Sequence, residues 1–145
     1  MDAGNEARKA ATPDPRPPLD RCRVLLVDDE PSLLEIGCQL LSLEGIQTFT
    51  AANGEEALEI LHSMEPLPHG VILDLNMPGM GGIQCLQKMR ATWPDLPVIV
   101  STGYLDGEER SRLLDLGAFD VVEKPYRLQS MVNILRRALP GKPGT

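Results

Sequence analysis

Acidic side chains gather at two places in this sequence, and each follows a run of apolar residues. Val24-Leu25-Leu26-Val27 leads into Asp28-Asp29-Glu30, and Val71-Ile72-Leu73 leads into Asp74. A carboxylate at the tip of a buried strand is aimed by rigid backbone, and the Pro/Gly-rich turn from Asn76 to Gly82 leaves Asp74 open to a ligand. Three carboxylates brought together repel one another unless a cation sits among them. All the donors are oxygens, with no thiol or imidazole nearby, which selects a hard ion such as Mg²⁺ over zinc or copper. Two more apolar runs end in complementary groups: Val98-Ile99-Val100-Ser101 in Thr102, and Val121-Val122-Glu123 in Lys124. A hydroxyl, an ammonium and a divalent ion around one carboxylate suit a transferred phosphoryl group, whose charge spreads over three oxygens. The carboxylate itself can be the nucleophile, giving an acyl phosphate. Taken singly, each residue has a plainer role as a turn cap, a strand-end cap or a surface lysine. Glu30 fits such a role, as an acid at a helix start.

Whether the five side chains meet depends on the elements that carry them. The apolar runs begin at Val24, Thr48, Val71, Val98 and Val121, a step of 23 to 27 residues. That is the pitch of consecutive βα units, so the spacing predicts a parallel sheet covered by helices on both faces. Thr48-Phe49-Thr50-Ala51 alternates with polar residues and belongs at an edge, whereas the first and third runs are wholly apolar and belong inside. The doubly wound order 2-1-3-4-5, a flavodoxin-like (βα)5 fold, satisfies both conditions. Its reversal point lies between strands 1 and 3, where Asp28, Asp29 and Asp74 end their strands. Pro31 suits the first helical turn, and Leu33, Ile36, Leu40 and Leu43 form one apolar stripe on the helix it opens. Asn53 caps a second helix with Ala57, Leu58 and Leu61 inward. A third runs from Ile83 to Arg90, a fourth from about Glu108 to Leu116, and the last from Leu128 to Leu139, burying Met131, Ile134, Leu135 and Leu139.

Composition narrows the classes of function. At 145 residues the chain has room for one domain with a sizeable core, expected over residues 22–140. Residues 1–21 carry Pro13, Pro15, Pro17 and Pro18 with few large apolar side chains and are expected to form a disordered arm; residues 141–145 form a tail. A net charge of −7 disfavours direct DNA binding and an anionic membrane surface. Cys22, Cys38 and Cys85 are odd in number and lack a CxxC spacing, and Cys22 and Cys85 fall in or beside predicted elements, so buried, reduced thiols are expected. There is no signal-like apolar run and no stretch of membrane-spanning length, which points to the cytoplasm. His62 and His69 are expected to be isolated and solvated.

Val27-Asp28-Asp29-Glu30, Leu73-Asp74-Leu75-Asn76-Met77-Pro78, Thr102 and Lys124-Pro125 closely resemble the receiver domain of two-component response regulators, from about Arg23 to Leu139. The resemblance implies that Asp74 accepts a phosphoryl group from a phosphohistidine on a sensor histidine kinase or histidine phosphotransfer protein. It implies that Asp29, Asp74 and the Asn76 main-chain carbonyl ligate Mg²⁺, with Asp28 holding a metal-bound water. Thr102 and Lys124 would each engage a phosphate oxygen, and the Lys124-Pro125 peptide would be cis. The chain would then be a signalling switch with only self-catalysed phosphotransfer and dephosphorylation, not an enzyme acting on a separate substrate. No output domain is expected after the last helix, so output through a downstream protein partner, or by passing the phosphoryl group on, is expected.

One position departs from the family pattern. Many receivers carry Tyr or Phe where Val121 stands, three residues before the lysine, and Phe119 does not obviously replace it. Tyr104, on the loop after Thr102, is therefore expected to carry the switch with Thr102, with Gly103 and Gly107 supplying backbone freedom. Two other readings remain open. A haloacid-dehalogenase-type phosphatase would need an Asp-x-Asp motif after its first strand, and Asp74-Leu75-Asn76 is neither. A degenerate receiver that only binds proteins would explain Val121 but not the intact acidic cluster. The glycines after Asp74 are no nucleotide loop, since GxGxxG and a following Lys-Ser/Thr are both missing.

Overall fold

Each apolar run forms a parallel strand because the βα repeat returns the chain to the same end of the sheet every time. In the computed structural model, which describes residues 21–77 and 79–138, the strands are β1 (Arg23–Val27), β2 (Gln47–Ala51), β3 (Gly70–Asp74), β4 (Val98–Thr102) and β5 (Asp120–Glu123). They form one sheet in the order β2-β1-β3-β4-β5, as the spacing predicts. Between and after them run α1 (Pro31–Ser42), α2 (Gly54–Ser63), α3 (Gly82–Thr92), α4 (Gly107–Asp115) and α5 (Leu128–Ala138). All of the arm expected at 1–21 except Arg21, the tail at 141–145, and Pro78, Leu139 and Pro140 lie outside the described residues.

The pleat divides the core in two. Leu25, Val27, Val71, Leu73, Val98, Val100 and Val121 point to a face covered by α2, α3 and α4, through Ala57, Leu61, Cys85, Leu86, Met89 and Leu113. The alternate residues Val24, Leu26, Ile72, Ile99 and Val122 point to the other face, covered by α1 and α5 through Leu41, Met131, Val132, Ile134 and Leu135. Both faces of the central strands are dry, which is why they read as unbroken apolar runs. Cys22 and Cys85 are buried as expected, Cys38 is only half-buried, and all three are free. Burial, with the nearby charge of Glu55 adding to it, pushes the Cys85 thiol up to about 11.

Helix α1 leaves its apolar stripe largely uncovered. Leu33, Ile36, Leu40 and Leu43 are 38%, 50%, 38% and 75% exposed, while Leu41 is buried and Leu34 half-buried against the core. The apolar stripe is there, but it lies beside the inward face of the helix and looks outward.

His69 is half-buried and, against expectation, not isolated. Its Nδ1 accepts the Arg23 main-chain N–H at 3.0 Å, and its own N–H donates to the Arg23 carbonyl at 2.7 Å, extending the pairing at the amino-terminal end of the sheet. The Arg23 guanidinium donates to the carbonyls of Pro66 and Leu67, tying the α2–β3 loop to β1. His62, though exposed, lies with its ring centroid 4.9 Å from that of Trp93.

Candidate functional site

The register of the strands delivers the expected side chains to one place. In β1 and β3, Val27 stands opposite Leu73, so Asp28 and Asp74 leave the sheet side by side. Asp74 is paired with Ser101, which brings Thr102 one residue beyond, and Thr102 is paired with Glu123, the residue before Lys124. The Lys124 main-chain N–H donates to the Thr102 carbonyl at 2.7 Å, which fixes the root of the lysine. From there its Nζ reaches 2.9 Å from Asp28 Oδ2 and 3.2 Å from Asp74 Oδ1. Asp28, Asp29 and Asp74 each offer a carboxylate oxygen within 4.8 Å of the others, with Asp28 and Asp74 buried and Asp29 facing solvent. Lys124-Pro125 is cis, as expected.

Main-chain donors hold the acids in place. Asp28 Oδ1 accepts the Glu30 N–H at 3.0 Å, and Asp74 Oδ1 accepts the Asn76 N–H at 3.1 Å. Burial, with the charge of Asp28 adding to it, raises Asp74 above the usual carboxylate value despite the opposing Asn76 bond and Lys124. Burial would lower Lys124, but its hydrogen bond to Asp28 and the charges of Asp74 and Asp28 outweigh that, so its ammonium is held above the ordinary value. A buried carboxylate beside a second one, with an exposed third completing an oxygen-only set, suits a hard divalent cation.

The turn after Asp74 is closed by a tight approach. The Gly82 N–H donates to the Leu75 carbonyl at 3.1 Å, and a Cβ on Gly82 would stand 2.4 Å from the Leu75 Cα. Only glycine lets α3 begin that close to the site.

The chain is identified by these four strand ends taken with the fold. Residues 24–136 match the family model of the response regulator receiver domain. The chain belongs to that family. Among relatives, this receiver is 38% identical to the regulatory protein AtoC of Escherichia coli over 81% of the chain and 25% of AtoC. It is 32% identical to sporulation initiation phosphotransferase F of Bacillus subtilis over 83% of the chain and 95% of that protein. The chain spans 25% to 52% of the length of the first curated relatives it matches. Among solved structures, the response regulator TrrA of Thermotoga maritima, in complex with Mg²⁺ and BeF, is 34% identical with a TM-score of 0.73, over 81% of this chain and 99% of that one.

Of the residues expected at the site, Asp28, Asp29, Asp74 and Lys124 come together, while Thr102 stands on the adjoining strand end with its hydroxyl engaged by its own loop. Tyr104 is 70% exposed on the β4–α4 loop, and Val121 is buried in the core beneath α4. Two features were not foreseen. The Asn76 side chain, read only for its main-chain carbonyl, reaches the β4–α4 loop, where its Oδ1 accepts the Gly103 N–H at 3.2 Å. Asp120, a buried acid at the start of β5, takes Arg110 of α4 on one oxygen and Arg137 of α5 on the other. Burial would raise the Asp120 carboxyl, but the Arg137 hydrogen bond, the Val121 N–H and both guanidinium charges hold it below the usual range. A lone acid in the apolar run from Phe119 to Val122 was the sequence signal for that pairing.

Proposed function

We propose that this receiver is a phosphoacceptor switch in which Asp74 takes a phosphoryl group from a phosphohistidine on a sensor kinase or histidine phosphotransfer protein. The observation that carries the reading is the placement of Lys124 Nζ, within 2.9 Å of Asp28 and 3.2 Å of Asp74 at the mouth of the three-carboxylate cluster. An Asp74 oxygen attacks phosphorus, the phosphorus–nitrogen bond breaks, and the imidazole leaves with the bonding pair, giving an aspartyl phosphate. Lys124 meets one of the phosphoryl oxygens. Thr102, on the neighbouring strand end, meets another after its loop moves. Asp29, Asp74 and the Asn76 carbonyl would hold Mg²⁺, and Asp28 a water on it; when bound, the ion neutralises charge that develops on the phosphoryl oxygens.

The donor reaches Asp74 across α1. Leu33, Ile36 and Leu40 line a hollow of about 280 Å³ with Pro125 and Tyr126, and Asp28 and Lys124 belong both to that hollow and to the acidic cluster. An apolar helix face on the donor would cover this stripe and present its histidine at the cluster's edge. The chain acts on no separate substrate, and its signal leaves through a downstream protein with Thr102, Tyr104 and the β4–α4 loop as the moving part. Incubation with acetyl phosphate and Mg²⁺ should add one phosphate, lost in Asp74→Asn or on chelation of the metal. Equal labelling of Asp74→Asn would sink the assignment.

A further inference from the structure

Asn76 stands between the two loops that frame Asp74. Its main-chain N–H donates to Asp74 Oδ1 at 3.1 Å, while its side-chain Oδ1 accepts the Gly103 N–H at 3.2 Å and lies 3.5 Å from the Thr102 hydroxyl. A main-chain N–H can only donate, so the amide faces Gly103 through its oxygen. The Thr102 hydroxyl has one proton, and its nearer acceptor is the Tyr104 carbonyl at 3.2 Å. Thr102 is thus committed to its own loop, and among the described residues no hydrogen bond joins it to Asp74.

We infer that Asn76 is a positioning residue whose side chain latches the β4–α4 loop at rest and keeps Thr102 turned away from Asp74. Leu105 packs the far part of this loop on the core, whereas a Cβ built at Gly103 would meet nothing nearer than Asn76 Oδ1, at 3.9 Å, so the Asn76 contact acts on the part of the loop next to Thr102. Asn76 is exposed, so water competes for the Gly103 N–H, and a bond of this kind biases the loop by only about twofold to tenfold. A latch that one added group must open needs a bias no larger than that. The same residue touches the acceptor carboxylate through its main chain and the loop through its side chain, so a change at Asp74 Oδ1 is felt directly by the residue that holds the loop. That last step rests on the phosphoacceptor reading; the resting latch does not.

The test uses the whole chain without any phosphodonor. In Asn76→Ala, amide hydrogen exchange at Gly103 should quicken about twofold to tenfold, with exchange broadening from Gly103 to Asp106. Asn76→Asp keeps an acceptor oxygen in place and should hold Gly103 near the wild-type rate. If Asn76→Ala leaves the Gly103 amide unchanged, or if Asn76→Asp quickens it as much as alanine does, the latch is refuted. Failure of wild-type Asp74 to label would overturn the phosphoacceptor reading instead and would leave the resting-state measurement standing.

Discussion

Lys124 is the residue on which the charge balance of the site turns. Its ammonium is the partner of two buried carboxylates, and removing one side of such a group leaves charge stranded. Lys124→Ala should therefore destabilise the fold by about 3 kcal/mol in metal-free buffer. Mg²⁺ should recover more stability in the variant than in wild type, since a dication at the cluster then replaces the charge that the lysine supplied. Denaturant titrations with and without Mg²⁺ decide this, and an equal Mg²⁺ effect in both proteins would refute it. At this scale the sequence was most informative. A carboxylate, a hydroxyl and a lysine at successive strand ends could be read directly, because a strand's last residue is placed by the sheet itself. The Asn76 and Asp120 contacts were not legible, because both depend on side chains meeting across loops or between helices whose approach no local pattern encodes.

Among the elements, α1 is the one that misleads a reader of periodicity. An apolar stripe at helical spacing normally marks the core face, yet here Leu33, Ile36 and Leu40 are left to solvent beside the acidic cluster. Periodicity reports that a face is apolar but not what covers it, and a partner serves as well as a sheet. Ile36→Glu should then change stability by no more than about 0.5 kcal/mol, since the side chain is half exposed. It should slow phosphotransfer from a histidine phosphotransfer protein about tenfold while leaving labelling by acetyl phosphate unchanged. Slowing both alike would mean that the stripe serves the site's geometry and not docking. Helix α4 presents the opposite case. It buries Leu113 alone and is otherwise gripped by Arg110, which donates to the Val121 carbonyl at 2.8 Å and pairs with Asp120. Val121 has no ring to report on the site, and this charged grip fastens α4 to β5.

The molecule as a whole separates its chemistry from its anchoring. The acids, Thr102 and Lys124 occupy the carboxyl ends of the strands, while Arg23 and His69 lock the amino ends. Burial, with the charge of Arg23 adding to it, lowers His69 below 6.5, and its Nδ1 must stay unprotonated to accept from Arg23. The unfolded chain therefore binds the proton first as pH falls. The stability from this contact is full above about pH 6.5 and declines as pH drops towards the folded value. His69→Gln should flatten the dependence of unfolding free energy on pH between about 5 and 7, and an unchanged slope would exclude His69 as its source. The strand order was legible because a parallel sheet with constant βα pitch admits few topologies. That order also has a colloidal consequence. Strand β2 is an edge, and Gln47-Thr48-Phe49-Thr50-Ala51 carries neither a charge nor a proline on it, whereas the opposite edge strand, β5, holds Asp120 and Glu123. An edge that no described strand pairs and that carries no gatekeeper is a template for another chain, and its five-residue length limits that pairing. Concentrated solutions should thus cloud by pairing along β2, and a lysine at exposed Thr50 (Thr50→Lys) should delay the turbidity without shifting the unfolding midpoint.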